Sequence, residues 1–221
     1  MAVSQEDNEK RMAGVPEPTL RRLPWYLSSV KLLRQRGEHY VSSTLIARET
    51  GIDASQIAKD LSFVNLSGRT RVGYEVDALI GVLEDFLGFT QLHKAFLFGV
   101  GSLGGALLHD SGLRHFGLEI VAAFDVNSAL VGTKLSGIPI YHTDEFEQRI
   151  KQYDVHIGVL TVPIEIAQGI TDRMVEGGIR AVWNFTPFRI HVPQHIVVQN
   201  TSLYAHLALM FNRLNAFHQP V

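Results

Sequence analysis

The chain reads as an α/β protein of two domains: a small helical unit followed by a parallel sheet in which strands alternate with helices. Three observations predict this. Up to about residue 88 the apolar residues recur at three- and four-residue spacing, the period of helices packed on a core. After residue 92, short apolar runs alternate with helical stretches, the pattern of parallel strands joined by crossovers. At the start of that second region an apolar run enters a glycine-rich turn that opens a helix.

With 221 residues, 46% apolar and 19% charged, the chain has material for two cores. It contains no cysteine, which excludes disulfides and thiolate metal sites, so any redox response must come through a bound group. The longest apolar runs fall far below a membrane span, which leads to the expectation of a soluble, cytoplasmic protein.

Residues 1–15 carry too few apolar side chains to pack and are expected to be a disordered arm. Thr19 is expected to cap a helix reaching about Arg36, closed by Gly37 and buried through Leu20, Leu23, Leu27, Val30 and Leu33. Ser43 opens a second helix to about Glu49. After a break at Gly51, Asp53 or Ser55 starts a third, to about Val64. This is the helix, tight turn, helix arrangement, with Ala47, Gly51 and Ile57 where crossing helices need a small residue, a flexible one and an apolar lock. Residues 66–74, with Gly68, Arg69, Arg71 and Gly73, suit a short hairpin wing, and a fourth helix follows from Val76 to about Leu87. The first unit is therefore expected to be a winged helix-turn-helix over residues 16–88.

In the second unit, residues 92–201, strands are expected near residues 94–99, 119–124, 138–141, 155–161, 180–185 and 195–199. Helices are expected from Ser102, Asp144, Ile164 and Ser202. The run Gly99-Val100-Gly101-Ser102-Leu103-Gly104 matches G-x-G-x-x-G, and 21 residues after Gly104 the acidic Asp125 ends the next apolar strand. Each residue has a physical task. Gly99 makes the tight turn, Gly101 lets backbone N–H groups approach a pyrophosphate at a helix N-terminus, and Gly104 brings helix onto strand. Asp125 can accept hydrogen bonds from ribose hydroxyls and would repel a 2′-phosphate. The expected fold is Rossmann-type and the expected cofactor is NAD+ or NADH. Thr161-Val162-Pro163 and Asn184-Phe185-Thr186-Pro187 lie at strand C-termini, where such sheets bind ligands, and are candidates to line the nicotinamide half. Lys134 is a candidate phosphate contact.

Between Thr19 and Tyr74 nine basic residues stand against four acidic ones, a net +5 in a chain whose total is −2. That local excess suits phosphate contacts. The third helix would enter the major groove by its first turns, with Ser55, Gln56 and Lys59 nearest the bases and Arg69 and Arg71 reaching out from the wing.

Together these motifs resemble the Rex family of redox-sensing transcriptional repressors over nearly the whole chain. The resemblance rests on Thr19-Leu20-Arg21-Arg22-Leu23-Pro24 with Tyr26, Val41-Ser42-Ser43, Lys59-Asp60-Leu61-Ser62 and Gly73-Tyr74. It continues in Gly99 to Gly104, Phe124-Asp125-Val126-Asn127, Leu160-Thr161-Val162-Pro163 and Asn184-Phe185-Thr186-Pro187. It implies a homodimeric repressor, not an enzyme, that binds palindromic operator DNA through residues such as Arg21, Arg22, Ser42, Ser43 and Tyr74. NADH would release it, so that it reads the NADH/NAD+ ratio for genes of respiration and fermentation. It also implies a domain-swapped C-terminal helix within residues 202–221, a role that Leu203, Leu207, Met210, Phe211 and Leu214 support by forming one apolar face. The chain departs from the family pattern at Ala58, Val64-Asn65, Asp110 and Ser202. A small NAD-dependent dehydrogenase, or an NAD-binding scaffold that regulates another protein without touching DNA, is the alternative reading of the same motifs.

Overall fold

The structure is a computed structural model that describes residues 14–64, 66, 68–69 and 72–217. The arm expected over residues 1–15 and the wing's Arg71 therefore fall largely or wholly outside the described residues. The chain divides into two compact units, one ending at Gln91 and the other beginning at Leu92.

In the first unit, α1 (Glu17–Gln35) begins earlier than Thr19 because Pro16-Glu17-Pro18 supplies a helix start: proline is favoured in the first turn, where its missing N–H costs nothing. Thr19 is thus not a cap but a buried residue inside the helix. A two-residue strand, β1 (Tyr40–Val41), precedes α2 (Ser43–Thr50), whose cap is Ser42, accepting from the Leu45 N–H at 3.1 Å. Gly51 ends α2 at a φ of +69°, a conformation that residues with a β-carbon rarely adopt. Asp53 caps α3 (Ala54–Leu61), which stops three residues short of the expected Val64 in a turn. β2 (Tyr74–Glu75) pairs antiparallel with β1, and α4 (Val76–Phe86) closes the unit. Leu23, Leu27, Val30, Ile46, Ile57, Leu61, Leu79 and Leu83 form one buried core.

The second unit holds a seven-stranded sheet. Its strands are β3 (His93–Phe98), β4 (Leu118–Asp125), β5 (Lys134–Leu135), β6 (Ile138–His142), β7 (Ile157–Leu160), β8 (Ala181–Asn184) and β9 (Val197–Asn200), in the spatial order β5-β6-β4-β3-β7-β8-β9. All neighbours are parallel except β5 and β6. Sequence reading missed β5, because two residues carry no periodicity, and also missed α6 (Gly112–His115), which follows α5 (Ser102–His109). α7 (Phe146–Tyr153), α8 (Ile164–Glu176) and α9 (Leu203–Phe217) complete the unit, α7 starting after a single 3-10 turn rather than at Asp144.

The chain builds outward from β3 through β4 to β6, then returns to the other side of β3 to lay down β7, β8 and β9. The reversal leaves a crevice beyond the C-termini of β3 and β7, the point at which open α/β sheets bind ligands. Phe98 and Phe124 stack with centroids 5.0 Å apart, and Phe146 meets Phe98 edge-on at 5.1 Å, so the strand ends bordering that crevice are held by close-packed rings.

Candidate functional site

The crevice is built from the turn after β3. Gly99 takes a φ of +94°; its N–H donates to the Phe124 carbonyl at 2.9 Å, and its own carbonyl accepts the Thr161 hydroxyl at 2.7 Å. A β-carbon on Gly104 would overlap the Gly99 carbonyl oxygen, so this close contact of helix on turn requires glycine. Gly101 differs. It caps α5 in an extended conformation with φ −74°, it is exposed, and a β-carbon there would meet nothing within 4 Å. No side chain caps α5, leaving the N–H groups of its first turn available beside the exposed Ser102. Open space in front of free backbone donors at a helix N-terminus suits an anion.

Asp125 stands at the end of β4. Its carboxylate accepts from the Val100 N–H at 2.6 Å and from the Asn127 N–H at 2.8 Å, while the Asn127 side chain accepts from the Ala129 N–H at 3.0 Å. A carboxylate has about four acceptor positions, so Asp125 both organises the glycine turn and keeps capacity for hydroxyl donors. One expectation changes here: Val100 is buried and its N–H is already committed, so it supports the turn instead of meeting a phosphate. Lys134 opens β5 at the outer edge of the sheet, three strands from β3.

On the other wall, Thr161 locks onto the Phe98 and Gly99 carbonyls, Val162 is buried, and the exposed Pro163 precedes α8. Asn184 departs from its expected role. It is fully buried; its amide donates to the Phe188 carbonyl and to Asn200 Oδ1, both at 2.8 Å, and its Oδ1 accepts from the Thr186 N–H and hydroxyl. Every hydrogen-bonding position of that amide is filled, so Asn184 and the buried Thr186 shape the loop that presents the exposed Pro187. A cavity of about 620 Å³ between α5, α6, β4 and the β5–β6 hairpin is lined by Leu118 to Val121 at the start of β4, whereas Asp125 ends that strand.

In the first unit, α3 turns Ile57, Asp60 and Leu61 inward, whereas Ser55, Ala58, Lys59 and Ser62 are exposed. Arg22 does not reach outward as expected. Its Nε and Nη2 donate to the two oxygens of Asp60 at 2.7 and 2.8 Å. Gln56 likewise turns its amide to Asp60 at 2.9 Å. The Thr19 hydroxyl (2.9 Å) and the Tyr26 hydroxyl (2.7 Å) complete five donors on one fully buried carboxylate. Burial alone would raise the pKa of Asp60, but the hydrogen bonds from Arg22, Tyr26, Thr19 and Gln56 outweigh it and hold the group at about 2. For Tyr26, burial first and the Asp60 carboxylate second push the phenol up to about 12.

The positive excess read from sequence is therefore partly internal. Lys31, Arg34 and Arg36 face Glu84, Asp77 and Glu49, and Arg21 faces Glu17 on the surface. Lys59 and Arg69 are exposed, Arg69 lying over the Tyr40 ring with its guanidinium carbon 5.9 Å from the centroid. Tyr40 is an exposed candidate that sequence reasoning missed, because an isolated tyrosine between helices carries no pattern. Ser42 spends its hydroxyl on capping, Ser43 is half-buried, and Tyr74 is half-buried in β2 with its ring against Gly68.

A pH dependence follows from Asp60. Its folded pKa lies below the ordinary aspartate value of 3.8, so its stabilisation is complete above about pH 4 and is lost as pH falls toward 2. Urea midpoints measured from pH 5 to 2 are expected to fall for the wild type and to fall less steeply in Asp60→Asn. Parallel slopes would show that this carboxylate does not carry the linkage. Asp60→Ala, which strands the Arg22 guanidinium, is expected to cost roughly 3–5 kcal/mol.

Comparison with known proteins accords with both halves. Residues 14–62 match a family model described as "Putative DNA-binding protein N-terminus", and residues 90–188 match one described as "CoA binding domain". The redox-sensing transcriptional repressor Rex of Bacteroides fragilis is 77% identical over 97% of this chain and 98% of its own length.

The chain belongs to the Rex family of redox-sensing transcriptional repressors.

The Rex protein of Porphyromonas gingivalis is 62% identical over 91% of this chain and 93% of its own. Among solved structures, RSP, a Rex-family repressor, in complex with β-NAD+ and operator DNA aligns with a TM-score of 0.87 at 31% identity, covering 91% of this chain and 93% of RSP. RSP in complex with β-NADH aligns at 0.82, covering 92% and 95%. Membership of the Rex family places the chain among transcriptional repressors. Among the described residues no helix is long and apolar enough to cross a membrane.

Proposed function

We propose that this Rex-family chain is a cytoplasmic homodimeric repressor that binds NAD+ and NADH in the crevice after β3 and β7 and binds palindromic operator DNA through α3 and the wing, with NADH lowering its affinity for DNA. The observation that carries the cofactor assignment is the open space at Gly101 in front of uncapped N–H groups, with Asp125 on the neighbouring strand. The pyrophosphate sits on the first turn of α5, Asp125 accepts from the adenosine ribose, and Thr161 to Pro163 together with Pro187 border the nicotinamide. RSP, a Rex-family relative of known structure, is solved with β-NAD+ and operator DNA, and with β-NADH.

The partner is a second copy of the chain. From Leu203 to Ala216 every residue of α9 is exposed in the single chain, including Tyr204 at 67%, Leu209 at 59% and Phe211 at 53%. Water does not keep so apolar a helix uncovered, and the swap implied by the family buries α9 against the second copy of the chain. Ser202, where the family has an aspartate, still caps this helix by accepting from the Ala205 N–H at 3.2 Å. The two recognition helices then lie about one helical turn of DNA apart, roughly 34–36 Å, and a cofactor that favours a different dimer geometry breaks that register.

The test is a fluorescence-anisotropy titration of a labelled palindromic duplex at fixed salt, without nucleotide, with NAD+ and with NADH. Tight binding that NADH releases is the expected result. Coupling is reciprocal, so an NADH affinity that is the same with and without saturating duplex would sink the sensor reading.

A further inference from the structure

Asp60 lies in the last turn of α3, next to the exposed Lys59, yet its carboxylate is wholly buried beneath five donors. Three of these donors come from α1: the hydroxyls of Thr19 and Tyr26 and the guanidinium of Arg22. The apolar attachment of α3 is slight by comparison, since only Ile57 and Leu61 among its eight residues are buried hydrophobics. Apolar contact is non-directional and leaves a short helix free to rotate or slide by a fraction of a turn. A bidentate guanidinium–carboxylate pair fixes both direction and distance.

We propose that Asp60, held by Thr19, Arg22 and Tyr26, is the positioning residue of the recognition helix, and that Arg22 serves DNA binding through this clamp and not as a phosphate contact. The proposal rests on the assignment of α3 to the major groove. The clamp sets which arc of α3 faces outward, and that arc is Ser55, Ala58 and Lys59, continued by Ser62 just past the helix. It also removes a carboxylate from a surface that must meet phosphates, at the expense of one arginine. Base readout needs side chains placed to a fraction of an ångström, whereas attraction to the phosphate backbone tolerates a shifted helix. Loosening the clamp therefore acts on specific binding and spares non-specific binding.

The experiment compares wild type, Tyr26→Phe, Thr19→Val and Asp60→Asn on two duplexes of equal length, over a series of salt concentrations. One duplex is the palindrome that the wild type selects from a randomised pool, and the other is a scrambled sequence. Tyr26→Phe and Thr19→Val each remove one neutral donor and leave the ion pair in place, so they report on positioning even if Asp60→Asn folds poorly. Affinity for the selected palindrome is expected to fall about 10-fold in Asp60→Asn, the scale of one lost base contact, and by a smaller factor in the other two. Affinity for the scrambled duplex and for NADH stays at the wild-type value. In the neutral pair Arg22→Gln with Asp60→Asn, the slope of log affinity against log salt is expected to match that of Asp60→Asn alone.

Equal losses on both duplexes, or selectivity unchanged in all three single variants, would overturn the clamp. A salt slope that drops by about one charge when Arg22 is removed would restore Arg22 as a phosphate contact. A wild type that selects no sequence from the pool would instead overturn the DNA reading on which the clamp depends.

Discussion

Gly101→Ala is expected to fold like the wild type and to bind NADH about 100-fold or more weakly. The backbone at Gly101 has a φ of −74°, open to any residue, and the added methyl group meets no protein atom within 4 Å, so neither strain nor a clash opposes folding. On the proposed placement of the pyrophosphate, the methyl group enters the space that the cofactor fills. A pyrophosphate forced outward loses hydrogen bonds from the first turn of α5, each worth about 1.5–3 kcal/mol to a charged group, and roughly 1.4 kcal/mol is a factor of ten. NADH fluorescence titration gives the affinity, and circular dichroism with a thermal melt gives the fold. Gly104→Ala is the contrasting variant: its β-carbon would overlap the Gly99 carbonyl, so fold and affinity fall together. If Gly101→Ala bound NADH as the wild type does, the pyrophosphate would not lie on this turn.

A chain ending at Thr201 is expected to be monomeric and to lose operator affinity by about 1,000-fold, down to the level of non-specific binding. The removed segment includes all of α9, of which residues 203–216 are exposed in the single chain. If α9 joins the dimer as proposed, its removal unlinks the two half-site contacts, and the gain of binding a palindrome with two helices disappears. The sheet and the glycine turn do not depend on α9, so NADH binding is expected to persist. Light scattering coupled to gel filtration measures mass, and anisotropy measures the operator. A stable dimer in the truncated chain would show that subunits join elsewhere.

Both predictions rest on features visible in the sequence. G-x-G-x-x-G after an apolar run, followed by an aspartate at the next strand end, is a local pattern because a strand, turn and helix made of neighbouring residues impose it, and Gly99, Gly104 and Asp125 take the places it requires. The excess apolar surface of α9 is equally local. The order of strands and helices was legible for the same reason, apart from β1, β5 and α6, which are too short to show a period.

The sequence could not assign the polar side chains to their partners. Arg22, Gln56 and Asn184 have residue types common at binding surfaces, and each is instead consumed by the protein: Arg22 and Gln56 by Asp60, and Asn184 by Thr186, Phe188 and Asn200. Arg22 meets a carboxylate 38 residues away, a distance that no periodicity records. Thus the sequence alone determined the longer strands and helices and the glycine-rich turn, because each is dictated by neighbours along the chain. Only the tertiary structure decided which polar groups remain free for DNA and cofactor, because a hydrogen bond between distant segments is settled by the packing that brings them together.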